Sequence, residues 1–567
     1  MNSSFKHFAF DFFFLSLYLT SSALSVNAHN EGESLVKQTI MIPMDDGVRL
    51  ATDIYLPKET DDLIPCILIR TPYNKNGEWE GKKFTKLGYA VIKQDTRGKY
   101  DSEGNFYPFI NERLDGLATL RWIRSQSWSN GKIAGWGGSY VGYTQWAIAD
   151  HLNAMVPVVT SARMYDMVYP SGIFSLATAF NWGLKVDSKT TLPLEDKKIR
   201  EAYSILPLSS ADNFVGQQND FTDDWVKHQY FDAFWGKQDH RMAKICPINS
   251  FAGWNDIFLD AQIQDFTNPN TKHHPDSRLI IGPYAHGKIE IETDYGDNLD
   301  RDKHFDNDIL SFLERHLKDH ASITIQRDPY MLFIIHRNEW YSCKEWPPEN
   351  SHKTTYYLGP NGEISTKAFN ENKAFKYTYN PLDPYPSFGG TFLGTGVGPA
   401  YQNANINRKD QVVFESPELE KPLILLGPIK AVIFVETDAP ATDFFVSLQE
   451  VRPDGKIINI QEGGKTVYND EQSTPEIRMI NISLWATGIQ INPGNKLRVV
   501  ITSSLFPRYN RNINSGKNIF DAKNSQEANQ VIHTGGLYPS RILLQVLNIS
   551  YETSMNFHHF NFTQGND

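Results

Sequence analysis

The sequence predicts an α/β domain that carries a helical insertion and is followed by an all-β sandwich of the jelly-roll kind. Between Thr39 and Lys318, short apolar runs alternate with segments of helical period, the pattern of a largely parallel sheet covered by helices. That alternation stops from about residue 165 to 245, where aromatics and helix formers crowd together without strand-like runs. Beyond about residue 350, short strand-like runs follow one another between Gly, Pro, Asn and Asp, and long helical patterns are missing. A chain of 567 residues also exceeds the roughly 250–300 residues at which a single core stops growing. The expected division is residues 29–350 for the α/β domain, with a cap inserted at about 165–245, and 351–567 for the β sandwich.

The elements follow in order. Thr39–Met44 and Ala51–Leu56 read as two strands joined by the turn Asp45-Asp46-Gly47. Cys66–Arg70 and Ala90–Gln94 are runs suited to buried parallel strands, with Lys82–Leu87 a helix between them. Leu114–Ser125 has helical period, with Leu114, Leu117, Leu120, Trp122 and Ile123 available to a core. Ile133–Trp136 is the next strand, and a helix begins near Tyr143. After the insertion, strands are expected at Ile245–Ser250 and Arg278–Ile281 and a helix at Asp308–Lys318. The sandwich strands read as Thr354–Leu358, Gln411–Glu415, Ile429–Glu436, Asp443–Gln449, Lys496–Thr502 and Ile542–Leu547.

Composition narrows the function classes. A net charge of −11 without a Lys/Arg cluster speaks against a nucleic-acid surface. The three cysteines, Cys66, Cys246 and Cys343, are scattered and show neither metal-ligand spacing nor a disulfide framework. At the N-terminus, Lys6 precedes an apolar stretch from Phe8 to Leu24, broken by Asp11, and Val26-Asn27-Ala28 offers a small-x-small cleavage site. Residues 1–28 therefore read as a secretory signal peptide, and the mature protein is expected to be secreted or periplasmic without integral membrane association. Homo-oligomer formation stays open. Asn481, Asn548 and Asn561 head N-x-Ser/Thr sequons, which matter only in a eukaryotic secretory pathway.

The chemistry starts at Gly137-Gly138-Ser139-Tyr140-Val141-Gly142. A strand, a serine flanked by small residues and a helix form a nucleophile elbow, which presents the hydroxyl at a sheet tip beside a helix N-terminus. A serine is a weak nucleophile without a base, and α/β-hydrolases supply Asp or Glu and then His in chain order. Ala252-Gly253-Trp254-Asn255-Asp256 sets an acid after one strand-like run, and Gly282-Pro283-Tyr284-Ala285-His286 a histidine after the next. Asp256 would orient the imidazole, while His286 would take the Ser139 proton and return it to the leaving group. Asp260 and Asp265 compete for the carboxylate role.

These three segments, with Arg70-Thr71-Pro72-Tyr73, Gln94-Asp95-Thr96-Arg97-Gly98 and Phe506-Pro507-Arg508-Tyr509-Asn510-Arg511-Asn512, resemble the cocaine esterase, glutaryl acylase and X-prolyl dipeptidyl-peptidase group of serine hydrolases. The resemblance implies an α/β-hydrolase domain with a cap, a C-terminal jelly roll, an acyl-enzyme and no cofactor. It also implies an oxyanion hole made by the Tyr73 hydroxyl and the backbone N–H of Tyr140. Asp95 and Arg97 read as a structural ion pair or turn-forming unit. Relatives acting on α-amino acid esters carry an acidic pair after the triad aspartate; here Ile257, Phe258 and Leu259 follow, which disfavours an α-amino acyl group. Phe258 with the cap aromatics Trp182, Phe180 and Phe174 suggests an apolar acyl pocket.

The expected function is a secreted serine hydrolase cleaving ester or amide acyl bonds of a small-molecule or peptide substrate. The alternatives are an X-Pro dipeptidyl-peptidase and a non-catalytic jelly-roll binding protein. The histidine pairs His273-His274 and His558-His559 read as solvated loops rather than metal ligands. The acid-rich stretch from Asp294 to Asp308 lacks the glycine and glutamate positions of a calcium loop and reads as a polar loop before a helix.

Overall fold

In the computed structural model, the described residues are 35–58, 62–190, 196–242, 244–293, 301–318, 327–469, 476–518, 520–548 and 557–558. The leader-like segment lies outside them. Among the described residues no helix is long and apolar enough to cross a membrane.

The first sheet is built from β1 (Leu35–Pro43), β2 (Arg49–Pro57), β3 (Ile64–Thr71), β4 (Ala90–Asp95), β5 (Ser129–Gly138), β6 (Ala154–Val158), β7 (Asn249–Asn255), β8 (Arg278–Ala285), β9 (Tyr330–Ile334) and β10 (Glu339–Cys343). Their order is β1-β2-β4-β3-β5-β6-β7-β8-β9-β10, with Phe557–His558 added at the far edge. From β4 to β9 every pairing is parallel. Every residue of β3 and β4 is buried, as expected for strands covered on both faces. Helices α1 (Trp79–Thr85), α2 (Glu112–Arg124), α3 (Tyr140–Trp146), α4 (Leu259–Thr267) and α5 (Arg301–Leu317) accompany the sheet. Cys66, Cys246 and Cys343 are buried free thiols.

Three expected details shift. Leu114 is 68% exposed; at about 100° per residue it lies on the opposite side of α2 from buried Ile123, nine positions on. The run Ile245–Ser250 is mostly not strand; pairing as β7 begins at Asn249, after Pro247, which has no N–H for a ladder. Part of the acid-rich stretch is helix: Asp302, Asp306 and Asp308 belong to α5, while Asp294, Asp297 and Asp300 lie outside the described residues. Asp306 pairs with Lys83 at 2.8 Å. Strand β6, a short apolar run, is one the sequence reading missed.

Between β6 and β7, the described part of the insertion folds into short helices around buried Phe221, Trp225 and Trp235. Asn219 caps the helix Asp220–Lys227 by accepting from the Thr222 N–H at 3.0 Å.

After β10 the chain enters two further sheets, built from β11 (Ser351–Leu358), β12 (Lys373–Tyr379), β13 (Gln411–Glu415), β14 (Leu423–Thr437), β15 (Ala441–Val451), β16 (Ile457–Tyr468), β17 (Arg478–Ile491), β18 (Lys496–Thr502), β19 (Ala528–Thr534) and β20 (Arg541–Leu547). One sheet runs β11-β20-β14-β19-β12, with β17 also on β14; the other runs β13-β18-β15-β16. This is an α/β-hydrolase domain with a mostly β C-terminal domain. The two share a continuous core, and Gln461 from β16 donates to the Trp254 carbonyl in β7 at 2.8 Å.

Arg508 is buried and joins three pieces of chain. It donates to the Glu462 carboxylate, the Thr391 hydroxyl and, at 3.1 Å, the Thr391 carbonyl. Replacing Arg508 with Ala strands a buried carboxylate, so urea unfolding should show a loss of about 3–5 kcal/mol. The exposed Arg121–Asp45 pair, removed by Arg121→Ala, should cost less than about 1 kcal/mol in the same assay.

Candidate active site

Ser139 sits between β5 and α3 with φ 55° and ψ −128°, a left-handed conformation that is costly for a residue with a side chain. Small neighbours make the turn feasible. A Cβ on Gly137 would lie 2.4 Å from Val141 Cγ1, and one on Gly142 would lie 2.4 Å from Thr160 Cγ2. The Ser139 N–H donates to the Val158 carbonyl of β6 at 2.9 Å, tying the turn to the sheet. The helix starts at Tyr140 rather than Tyr143, so the Tyr140 N–H is a first-turn donor without an intrahelical partner.

Asp256 leaves the carboxyl end of β7 and His286 the carboxyl end of β8, the side of an open α/β sheet where ligands bind. His286 Nε2 stands 3.2 Å from Ser139 Oγ, and His286 Nδ1 stands 2.8 Å from Asp256 Oδ2. The other carboxylate oxygen of Asp256 accepts from the Phe258 N–H at 2.9 Å. Asp256 is 0% and His286 3% exposed, so their electrostatic coupling is little screened. Gly287–Lys288 pairs in parallel with Gly394–Thr395 of the C-terminal domain, which fastens the segment after His286.

Asp260 and Asp265 are engaged elsewhere. Asp265 accepts from the Ala162 N–H at 2.8 Å and from Arg241 at 2.6 Å, and Asp260 accepts from Gln264 at 2.6 Å. Of the two readings of Asp95 and Arg97, the ion pair does not form, while the chain does turn there, with the Lys99 N–H donating to the Thr96 carbonyl at 3.1 Å. Asp95 accepts from the Lys75 N–H at 2.7 Å, whereas Arg97 pairs with Asp115 and Asp46. His273 is partly buried and stacked on Phe266, with ring centroids 4.7 Å apart, rather than solvated. The side chain of His558 and all of His559 lie outside the described residues.

The Tyr73 hydroxyl borders the same cavity as Ser139 and accepts from Trp182 Nε1 at 3.0 Å. Burial pushes the phenol up to about 12, despite hydrogen bonding with Trp182 and Ser139, so it stays neutral and able to donate near pH 7. The Tyr140 side chain has a different task. Its hydroxyl donates to Glu112 Oε1 at 2.8 Å and accepts from the Phe109 N–H at 3.0 Å. Glu112 in turn pairs with buried Arg70 at 3.1 Å. Arg70, conspicuous in the sequence beside Tyr73, thus braces the floor of the elbow helix.

The cavity is lined almost wholly by apolar groups, including Trp182 and Phe258. Phe174 and Phe180 are absent from its wall; they pack inside the cap against Tyr169 and Tyr203. Phe109, Met164, Met167, Ile257 and Leu393 take their places. Leu393 comes from the C-terminal domain, where its carbonyl accepts from Asn181 of the cap at 3.2 Å. No local sequence signal links a lone leucine to a site built so far away along the chain.

The family profile described as X-Pro dipeptidyl-peptidase (S15 family) matches residues 46–288, and that of the X-Pro dipeptidyl-peptidase C-terminal non-catalytic domain matches residues 323–543. A cocaine esterase of Rhodococcus sp. (strain MB1 Bresler) is 30% identical over 578 residues, covering 91% of this chain and 99% of the relative. The chain belongs to this family of serine hydrolases. Two solved structures share the hydrolase's fold. An aminopeptidase from a marine sediment archaeon, Thaumarchaeota archaeon, superposes with a TM-score of 0.79 at 21% identity, covering 94% of this chain and 100% of that one. An α-amino acid ester hydrolase does so at 0.75 and 23%, covering 92% and 98%.

Replacing Tyr140 with Phe leaves the buried Phe109 N–H without an acceptor and Glu112 with one donor fewer. Chemical denaturation should show a loss of about 1–3 kcal/mol.

Proposed function

We propose that this serine hydrolase cleaves acyl esters or amides with apolar acyl groups, through an acyl-enzyme formed on Ser139. The observation that carries the proposal is the relay from Ser139 through His286 to Asp256, at 3.2 and 2.8 Å, opening into an apolar cavity. In this reading Ser139 Oγ attacks the carbonyl carbon as His286 Nε2 takes its proton. Asp256 holds the imidazole in the tautomer with its proton on Nδ1 and stabilises the imidazolium. The Tyr73 hydroxyl and the Tyr140 N–H then donate to the oxyanion. His286 returns the proton to the departing alcohol or amine, and water repeats the sequence to release the acid. The leader-like first 28 residues support export of the enzyme.

An ester or acylase substrate is favoured over an X-Pro dipeptide by the wall chemistry. The described cavity lining contains no carboxylate that would hold a free N-terminal ammonium. p-Nitrophenyl acyl esters should therefore be turned over faster than X-Pro-arylamides. The opposite order, with activity lost when the substrate amine is blocked, would replace this reading with the peptidase one.

A fluorophosphonate probe should label the wild type and leave a folded Ser139→Ala variant unlabelled; equal labelling of both would remove Ser139 as nucleophile. Tyr73→Phe should lower kcat by roughly 10²–10³ with little change in KM, the signature of a contact strengthened in the transition state. Steady-state kinetics on one ester measures both parameters.

A further inference from the structure

A second cavity opens between the helical cap and the C-terminal domain. No residue lines both it and the cavity at Ser139. Asp443, in β15, forms part of its wall and is only 3% exposed. Its Oδ1 accepts from Thr466 Oγ1 at 2.7 Å and from Asn512 Nδ2 at 3.0 Å. Both donors are neutral and both serve the same oxygen, so Oδ2 is the oxygen left for the cavity.

The contrast with other buried acids is informative. Glu112, Asp265 and Glu462 each face a guanidinium, from Arg70, Arg241 and Arg508. Asp443 makes no ion pair among the described residues; Lys517, on the cavity rim, does not reach it. Burial pushes the Asp443 carboxyl up to about 6, against hydrogen bonds from Asn512 and Thr466 that favour its charged form. A buried carboxylate without a cation is costly, and a cavity beside it is where a cation can be supplied from outside.

The remaining wall describes that cation. Tyr169, Phe174 and Tyr468 give aromatic surface suited to an ammonium group. Gln229 and Asn510 also line the cavity, and their side-chain amides make no hydrogen bond to the described protein, which leaves them available to hydroxyl groups. We propose that this cavity is a binding site, separate from the Ser139 site, for a small organic ammonium that also carries hydroxyl groups, with the ammonium on Asp443.

Glucosamine is a suitable probe and glucose its uncharged counterpart, with binding to the full chain followed by calorimetry at low salt. Glucosamine should saturate in the millimolar range and bind at least about tenfold more tightly than glucose. Asp443→Asn should weaken glucosamine binding about tenfold while hydrolysis of p-nitrophenyl acetate stays at the wild-type rate. Because loss of a buried group can impair folding, Tyr468→Ala supplies a second variant. Tyr468 is half exposed, and its loss should weaken glucosamine binding several-fold. The proposal is overturned if glucosamine fails to saturate at tens of millimolar, if glucose binds equally well, or if both variants bind glucosamine like the wild type.

Discussion

A serine at φ 55° and ψ −128° stays there only if the chain on both sides holds it, and much of the molecule is arranged around that hold. On one side, β5 lies between β3 and β6 in a fully parallel sector, and the Ser139 N–H is fastened to β6. On the other, α3 must begin at once, with Gly142 close against Thr160. Beneath the helix, Tyr140 is clamped by Glu112 from α2, and Glu112 by Arg70 from β3. The buried ion pair gains its value from this linkage. Each partner is expensive to bury alone, so the three elements can satisfy their charges only in one mutual arrangement.

The same turn sets what the site can be. Parallel strands end on the same side, so β5, β7 and β8 bring Ser139, Asp256 and His286 to one rim without any helix or loop having to reach far. Their apolar surroundings come from elsewhere. Trp182 descends from the cap, and Leu393 arrives from the C-terminal domain on a loop bound both to Asn181 and to the chain after His286. Arg508 anchors the start of that loop through Thr391. The C-terminal domain is therefore part of the cavity wall as well as a neighbour of the catalytic sheet.

Where the sequence misled, the cause was a geometry that spacing does not encode. Leu114 has the right residue type and the wrong helical phase. Phe174 and Phe180 are cap aromatics like Trp182, yet Phe180 packs against Tyr203, because nearby helical positions send side chains in different directions, and Phe174 lies outside any helix, against Tyr169. Asp95 and Arg97 are two residues apart, but the strand end turns between them and each finds a partner from another segment.

Local patterns in the sequence determined the strand-helix alternation, the insertion, the later β domain, the elbow and the order Ser139, Asp256, His286, because each depends on periodicity or on residues adjacent along the chain. The tertiary structure alone decided which side chains meet. It placed Asp256, and neither Asp260 nor Asp265, against His286, joined Arg70 to Glu112 and Tyr140, drew Leu393 to the cavity at Ser139 and left Asp443 at a cavity without an ion pair among the described residues. Such pairings depend on close packing between distant segments, and the energy of a buried charge or an apolar wall exists only once those segments are in contact.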